Sequence, residues 1–544
     1  MRNPEKNKTS FFIRGFTQSA FLTVISRISG FIRDIFIAGF LGAGIFSDIF
    51  LIAFKLPNLF RRITAEGALT SAFLPIYSKL KTQNGEVLAF IYFKKVLYRV
   101  VFSLFILMII FQIIMPFIIH FLAPGFLNNQ NVIEQTTTLS RITIIFMPLI
   151  SIVAILGVAT NVSGKFWVLA FTPTILNTSI ILGCFFINDY WTIKSLPLAI
   201  ATVFGGLIQI IFILIMIRKF KIFNFKNLEK NISDRNIDKQ IQFQLSQTWK
   251  KFLPAAFGGG ILQINLLVDT ILASLLGFGS ISYLYFADRI AQLPLGIIGI
   301  ALGTTLLTSL SKSIASKDTN QFSKELIISL KIGLFFSIPA ALVFINFSDL
   351  LIKVLFERGE FSFQETIQTS HALLAYAFGV PAFIMLKSCQ PAFLAEGNTK
   401  TPMYIGFVIL ILNIILSFSL MFFLKHAGIA LATSIVSWIG TIIYITLLIK
   451  AKKIIKPKFS FKEEDSNLFS VILYGLKITL ISFLMILCMK LVRHILEINN
   501  INDTFALIIL CIFGFLLYIL TSKIFRYIPQ ELYQFLSLKL KKAK

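Results

Sequence analysis

Apolar residues run along this chain in blocks, each about long enough to cross a lipid core, with short polar breaks between them. A hydrocarbon core about 30 Å thick needs about 20 helical residues. Uniform runs of that order lie near residues 101–121, 141–160, 167–187, 196–217, 325–347, 403–424, 428–449, 468–492 and 504–522. Five more, near 14–41, 47–78, 250–276, 281–310 and 369–394, are interrupted by polar, charged, Gly or Pro residues. The pattern predicts an all-α polytopic membrane protein with fourteen transmembrane helices. The interrupted runs carry the functional information, because polar groups at membrane depth survive only where protein or a water-filled cavity covers them.

The longest polar stretch lies between the sixth and seventh runs, and the two sides of it resemble each other. Asp34, Ala38, Leu41, Gly42, Gly44 and Ser47 recur at one constant offset as Asp269, Ala273, Leu276, Gly277, Gly279 and Ser282. Six spans is an even number, so a second copy re-enters from the same side, which gives two parallel six-helix lobes plus two extra C-terminal helices. The expected organisation is an N-lobe over 1–218, a cytoplasmic linker over 219–249 and a C-lobe over 250–450. A cytoplasmic loop over 451–466, two further spans within 467–525 and a basic cytoplasmic tail over 526–544 complete it.

Composition supports lipid as the solvent: 56% of residues are hydrophobic, 14% are charged, and the mean hydropathy is +0.83. Lys and Arg outnumber Asp and Glu by 51 to 25, a net +26 that in a soluble chain would suggest nucleic acid. Here the excess collects in alternate loops: Lys79 to Lys95, Arg218 to Lys251, Lys312 to Lys324, Lys450 to Lys462 and Lys539 to Lys544. The bias places both termini in the cytoplasm and leaves no role for nucleic acid.

A few charges fall inside the spans instead. The first two spans hold Arg27, Arg33, Asp34, Asp48, Lys55, Arg61, Arg62 and Glu66, and the eighth holds Asp288 and Arg289. Some have partners by spacing, as Arg62 and Glu66 do at i,i+4, while Arg27 and Arg61 have no carboxylate at i±4. The plain alternative, that these are helix-end charges reaching for headgroups, fits Arg27 and Arg61 least well. The planar fork of arginine suits pyrophosphate or carboxylate, so an Arg-rich cavity predicts an anionic substrate. Asp269 is a lone carboxylate within the seventh span, and Asn413, Ser417 and Thr433 on later spans could join it as oxygen ligands for Na⁺. The competing reading makes Asp269 a protonated or capping acid. No hydrolase or nucleotide-binding motif is present, so no cofactor is expected and the energy must come from the membrane potential or an ion gradient, Na⁺ or proton.

Several motifs in order resemble one family. Ser26-Arg27-Ile28-Ser29-Gly30-Phe31-Ile32-Arg33-Asp34, Ala53-Phe54-Lys55-Leu56-Pro57-Asn58 and Arg61-Arg62-Ile63-Thr64-Ala65-Glu66-Gly67-Ala68 are similar to the N-terminal signature of the MurJ (MviN) lipid II flippases. Phe171-Thr172-Pro173-Thr174-Ile175-Leu176-Asn177, Tyr285-Phe286-Ala287-Asp288-Arg289 and Asn398-Thr399-Lys400-Thr401-Pro402 extend the likeness. The resemblance implies a transporter of the multidrug/oligosaccharidyl-lipid/polysaccharide exporter superfamily, located in the bacterial cytoplasmic membrane. It would move lipid II, an undecaprenyl-pyrophosphate-linked peptidoglycan precursor, between leaflets, with membrane lipids and cell-wall synthesis proteins as its surroundings.

It also implies substrate-binding roles for Ser26, Arg27, Arg33, Arg61 and Arg289. Asp34, Asp48, Lys55, Asn58, Glu66 and Ser282 would support or gate, and spans 13 and 14 would hold the lipid tail. Gln292 stands where family members often carry an acid, which puts a gating ion pair there in doubt. A flippase for another polyprenyl-pyrophosphate glycan stays open, as do, more remotely, a cation-coupled drug antiporter and a membrane glycosyltransferase.

Overall fold

The computed structural model describes residues 4–63, 69–188, 190–223, 235–451 and 467–529. Glu66, the basic loop 452–466 and the tail 530–544 lie outside the described residues. Within them the regular structure is helical, and every apolar run of the sequence falls on helix, the runs 403–424 and 428–449 sharing one that is kinked between them. With Gln130–Val162 taken as one run, eight helices among the described residues are long and apolar enough to cross a membrane, or nine when a pair bent by 43° is taken as one span.

The chain divides into two compact units. Unit 1 comprises residues 1–282 and 358–361. Its helices are α1 (Pro4–Leu41), α2 (Ile45–Ile63), α3 (Leu69–Gln83), α4 (Gly85–Leu122), α5 (Gln130–Thr143), α6 (Phe146–Val162), α7 (Phe166–Cys184), α8 (Leu196–Lys219) and α9 (Arg235–Ser274). The first three residues of α10 (Ser280–Pro294) also belong to it. Helix α1 packs along α7, and α7 along α8. The two segments that recur in sequence share a local form: α1 and α9 each end at a glycine turn before the next helix. Gly42 has φ +67°, and Gly277 and Gly279 have φ +103° and +90°, values that suit glycine because a Cβ is disfavoured there.

Unit 2 comprises residues 283–357 and 362–544. After α10 its helices are α11 (Ile300–Ala315), α12 (Thr319–Phe356), α13 (Phe363–Ala377), α14 (Val380–Leu394), α15 (Lys400–Lys450), α16 (Leu468–Ile498) and α17 (Asp503–Ile524). Helices α13 and α14 are the bent pair. Proline shapes several of these: Pro294 ends α10 in a π-helical turn over Leu295–Gly299, because its ring excludes the carbonyl four residues back. Helix α15 breaks at Lys425, whose φ of 51° turns the chain between the expected spans 403–424 and 428–449.

Helices α16 and α17 form one buried cluster with α12, built from Phe335, Phe347, Ile478, Met485, Leu510 and Tyr518. Lipid is as apolar as these side chains, so packing and polar contacts must hold the helices together. The Tyr518 hydroxyl donates to the Phe335 carbonyl at 2.5 Å. At one end, Lys353 pairs with Asp503 at 2.6 Å and Arg493 with Asp349 at 2.9 Å.

Candidate functional site

In unit 1, the C-terminal half of α1 carries Ser26, Arg27, Arg33 and Asp34. Arg33 and Asp34 are buried, at 8% and 1% exposure. The Arg33 guanidinium donates to Asp34 Oδ1 through Nε at 3.0 Å and Nη2 at 2.6 Å, and through Nη1 to Asn177 Oδ1 on α7 at 3.0 Å. The Asn177 amide then donates to the Ser29 hydroxyl at 2.9 Å and the Ser26 carbonyl at 3.2 Å. Asn177 therefore ties two turns of α1 to α7 and orients the Arg33 fork. Its motif was visible in sequence, but its bonding to Arg33 was not. Arg27, on the same helix, is exposed.

Helix α2 carries Asp48, Lys55, Asn58 and Arg61. Asp48 is fully buried and is engaged at the start of α10. It accepts from the backbone N–H groups of Gly279 at 2.6 Å and Ser282 at 2.9 Å, and from the Ser282 hydroxyl. A carboxylate there satisfies N–H groups that a helix cannot bond internally and sits at the positive end of its dipole. Two residues expected to support or gate are thus brought together as a helix cap supplied from another helix.

Replacing Asp48 with Ala is expected to lower stability by about 2–4 kcal/mol, because buried N–H groups lose a charged acceptor. Ser282→Ala, which removes one of the three bonds, should cost about 1 kcal/mol. Thermal unfolding in detergent checks the order; equal melting temperatures for both variants would refute the capping role.

Arg61 donates through Nε to Asn58 Oδ1 at 2.9 Å, so the asparagine one turn earlier orients it. Arg62 donates to Gln263 on α9 at 3.1 Å, a partner beyond the reach of sequence spacing. Lys55 is half-buried. Asp269 lies on α9 in unit 1 and is also half-buried.

In unit 2, Arg289 lies on α10, one turn after Tyr285. Its Nη2 donates to the Tyr285 hydroxyl at 2.7 Å, and the guanidinium lies 4.6 Å from that ring's centroid. Gln292 donates to Asp288, so the neutral residue at this position partners a carboxylate through its amide. Lys387, which the span count passed over, lies exposed within α14 with its stem against Gly299 of the π-helical turn. A lysine inside the interrupted run 369–394 was the signal for it.

Asn413, Ser417 and Thr433 lie together on α15. Asn413 Nδ2 donates to Thr433 Oγ1 at 3.1 Å, while the fully buried Asn413 Oδ1 and Ser417 Oγ meet no hydrogen-bond partner. Buried oxygens one turn apart fit a hard cation in kind. No group of three or more His, Cys, Asp or Glu residues that could hold a metal occurs among the described residues.

Comparison with known proteins follows the same lines. The family described as "Lipid II flippase MurJ" matches residues 37–497. A probable lipid II flippase MurJ of Buchnera aphidicola subsp. Acyrthosiphon pisum is 34% identical over 493 residues, covering 91% of this chain and 92% of that protein. Its counterpart in Rickettsia prowazekii is 37% identical over 419 residues, covering 77% and 80%.

Among solved structures, a lipid II flippase MurJ in an inward closed conformation matches with a TM-score of 0.72 at 29% identity, covering 93% of this chain and 98% of that one. An inward-facing multidrug resistance MATE family transporter matches with a TM-score of 0.59 at 11% identity, covering 81% and 99%, a likeness of fold alone.

Proposed function

This chain belongs to the lipid II flippase MurJ family, and on that premise we propose how its own residues carry the substrate. The protein is a multi-pass membrane transporter, not a catalyst of a chemical reaction, and its substrate is lipid II. In the proposed arrangement the chain crosses the bacterial cytoplasmic membrane fourteen times, with both termini in the cytoplasm. Residues 1–218 and 250–450 act as two lobes joined by the linker 219–249, and spans 13 and 14 take the lipid tail.

Arg27, Arg61 and Arg289 are the cations that meet the pyrophosphate during transport, with Ser26 and Lys55 beside them on α1 and α2. What carries this reading is the placement of guanidinium groups inside apolar helices, where each costs about 2.5–3.5 kcal/mol unless it is put to use. Asn58 and Tyr285 hold two of these forks in place. Arg33 serves differently: its bonds to Asp34 and Asn177 suit it to setting the shape of α1 against α7. The isoprenoid tail stays in lipid, since extracting it would cost about 0.8 kcal/mol per CH₂. Alternating access fits a fold whose solved relatives include inward-closed and inward-facing states.

For energy, return of a positively charged empty site is favoured by a membrane potential worth about 2.3 kcal/mol per charge per 100 mV. Na⁺ would add an ion gradient, held by Asn413, Ser417 and Thr433; a proton carried by Asp269 is the other option.

The deciding experiment labels outer-leaflet lipid II in spheroplasts depleted of this protein. The expected result is loss of labelling with accumulation inside, reversed by the wild-type chain. Loss of total lipid II would point to an enzyme and overturn the reading. Repeating the rescue without Na⁺, and with Asp269→Asn, separates ion coupling from voltage alone.

A further inference from the structure

Unit 1 contains a cavity of about 530 Å³ at the C-terminal end of α1, far along that helix from Arg27. Phe36, Gly39 and Phe40 of α1 line it, together with Lys194 from the segment before α8 and Arg358 and Glu360 from the segment 358–361. Two features show that it is built. The backbone N–H of Glu360 donates to the Gly39 carbonyl at 2.9 Å, and Gly359, at φ +57°, lies so close that a Cβ there would come within 2.2 Å of the same oxygen. Glycine at that position lets the segment seat on α1 and brings Arg358 to the rim, with its Cγ against Gly39.

Two of the lining residues on α1 are aromatic and pack on a third ring. Phe36 and Phe40 each meet the Phe185 ring edge-on, with centroids 5.5 and 5.4 Å apart. Lys194 lies 5.7 Å from the Phe46 ring centroid. Phe185, Phe186 and Tyr190 nearby are strongly exposed, and Trp191 partly so. Tyrosine and tryptophan concentrate where lipid meets water. The cavity thus pairs two cations with apolar side chains, beside aromatic residues of the kind that gather at a membrane surface. Its volume is ample for a phosphate group and the first part of a chain.

We propose that this cavity is a separate binding site for the phosphate-ester head of an amphiphile, with Lys194 and Arg358 on the phosphate and Phe36 and Phe40, backed by Phe185, on the first carbons of the tail. Glu360 on the same rim makes the site self-limiting: its negative charge weakens the hold of the cations on an anion, so the head binds and also leaves. In the orientation proposed above the site faces the outer leaflet. Two sources share this chemistry, a polyprenyl phosphate of the transported class and an ordinary anionic phospholipid.

The test uses the full chain in phosphatidylcholine nanodiscs with Phe40 replaced by photoreactive benzoylphenylalanine. Labelled polyprenyl phosphate or phosphatidylglycerol is added, and inorganic pyrophosphate serves as competitor in a third arm. Light should capture at least one of the two lipids, and which one it captures identifies the source. Lys194→Gln with Arg358→Gln should cut capture about tenfold, whereas Glu360→Gln should raise it about threefold. The opposite signs guard against a folding artefact, since damage would lower both. Capture of phosphatidylcholine at equal yield, capture unmoved by either change, or full displacement by pyrophosphate alone would overturn the proposal. No transport is measured, so failure here leaves the flippase reading standing, and failure of that reading leaves this site testable.

Discussion

Alanine at Arg27, Arg61 or Arg289 is expected to abolish rescue of cells depleted of their own lipid II flippase, with the protein still present in the membrane at normal level. A hydrogen bond to a charged partner is worth about 1.5–3 kcal/mol, so losing a two-pronged contact with pyrophosphate removes a factor of ten or more in binding at each position. Lysine should rescue partially, because it keeps the charge and loses the fork. Arg61 should be the most sensitive to its neighbour: Asn58→Ala leaves the charge and removes the bond that aims it. Growth curves at native expression, read with immunoblots, check the series. Normal growth with all three arginines changed would refute the assignment.

Asp34→Ala is expected to be severe for another reason. Arg33 and Asp34 are buried together, and removing the carboxylate takes away the charged acceptor of two of the guanidinium's hydrogen bonds. Breaking a buried pair from one side costs about 3–5 kcal/mol, a large share of the stability of most proteins. The variant should be lost from the membrane, or melt well below wild type in detergent. Changing both residues to leucine should recover much of the stability, since an apolar pair of similar volume is often tolerated where a lone charge is not. That double variant separates the two roles of Arg33. Stable protein that still rescues growth would make Arg33 a structural residue alone, whereas stable protein without rescue would return it to the substrate path. Stability unchanged in Asp34→Ala would show that the pair carries little weight.

How legible was this in the sequence? Hydrophobic run length alone located the helices, because lipid forces each crossing segment to be apolar and helical. The break at Lys425 fell between two expected spans for the same reason: the chain needs a turn where the apolar run pauses. The glycine turns after α1 and α9 were legible as a repeat, since positive φ restricts the residue that can stand there.

The partners of the charges were less legible. Asn177 lies 144 residues from Arg33, and Asp48 lies 231 residues from Gly279, so no spacing rule connects them. Spacing predicted Glu66 for Arg62; the contact seen is with Gln263, while Glu66 lies outside the described residues. The segment 358–361 reads as an ordinary loop of the second half, yet it clusters with unit 1 through a glycine that carries no charge or motif. Sequence thus revealed which groups were costly in lipid, and the fold revealed what offsets that cost.

The docking of α16 and α17 onto α12 has a consequence for the order of events during synthesis. The chain is made N-terminus first, so α12 is already in the bilayer when the last two helices emerge. They are joined by only a short turn at Asn499–Asn502 and enter nearly together. Until they arrive, Asp349 and Lys353 lack these two partners, so the bonds to Arg493 and Asp503 form only once α16 and α17 are in place. Closure of those two ion pairs therefore waits on α16 and α17, and a chain halted after α15 lacks both.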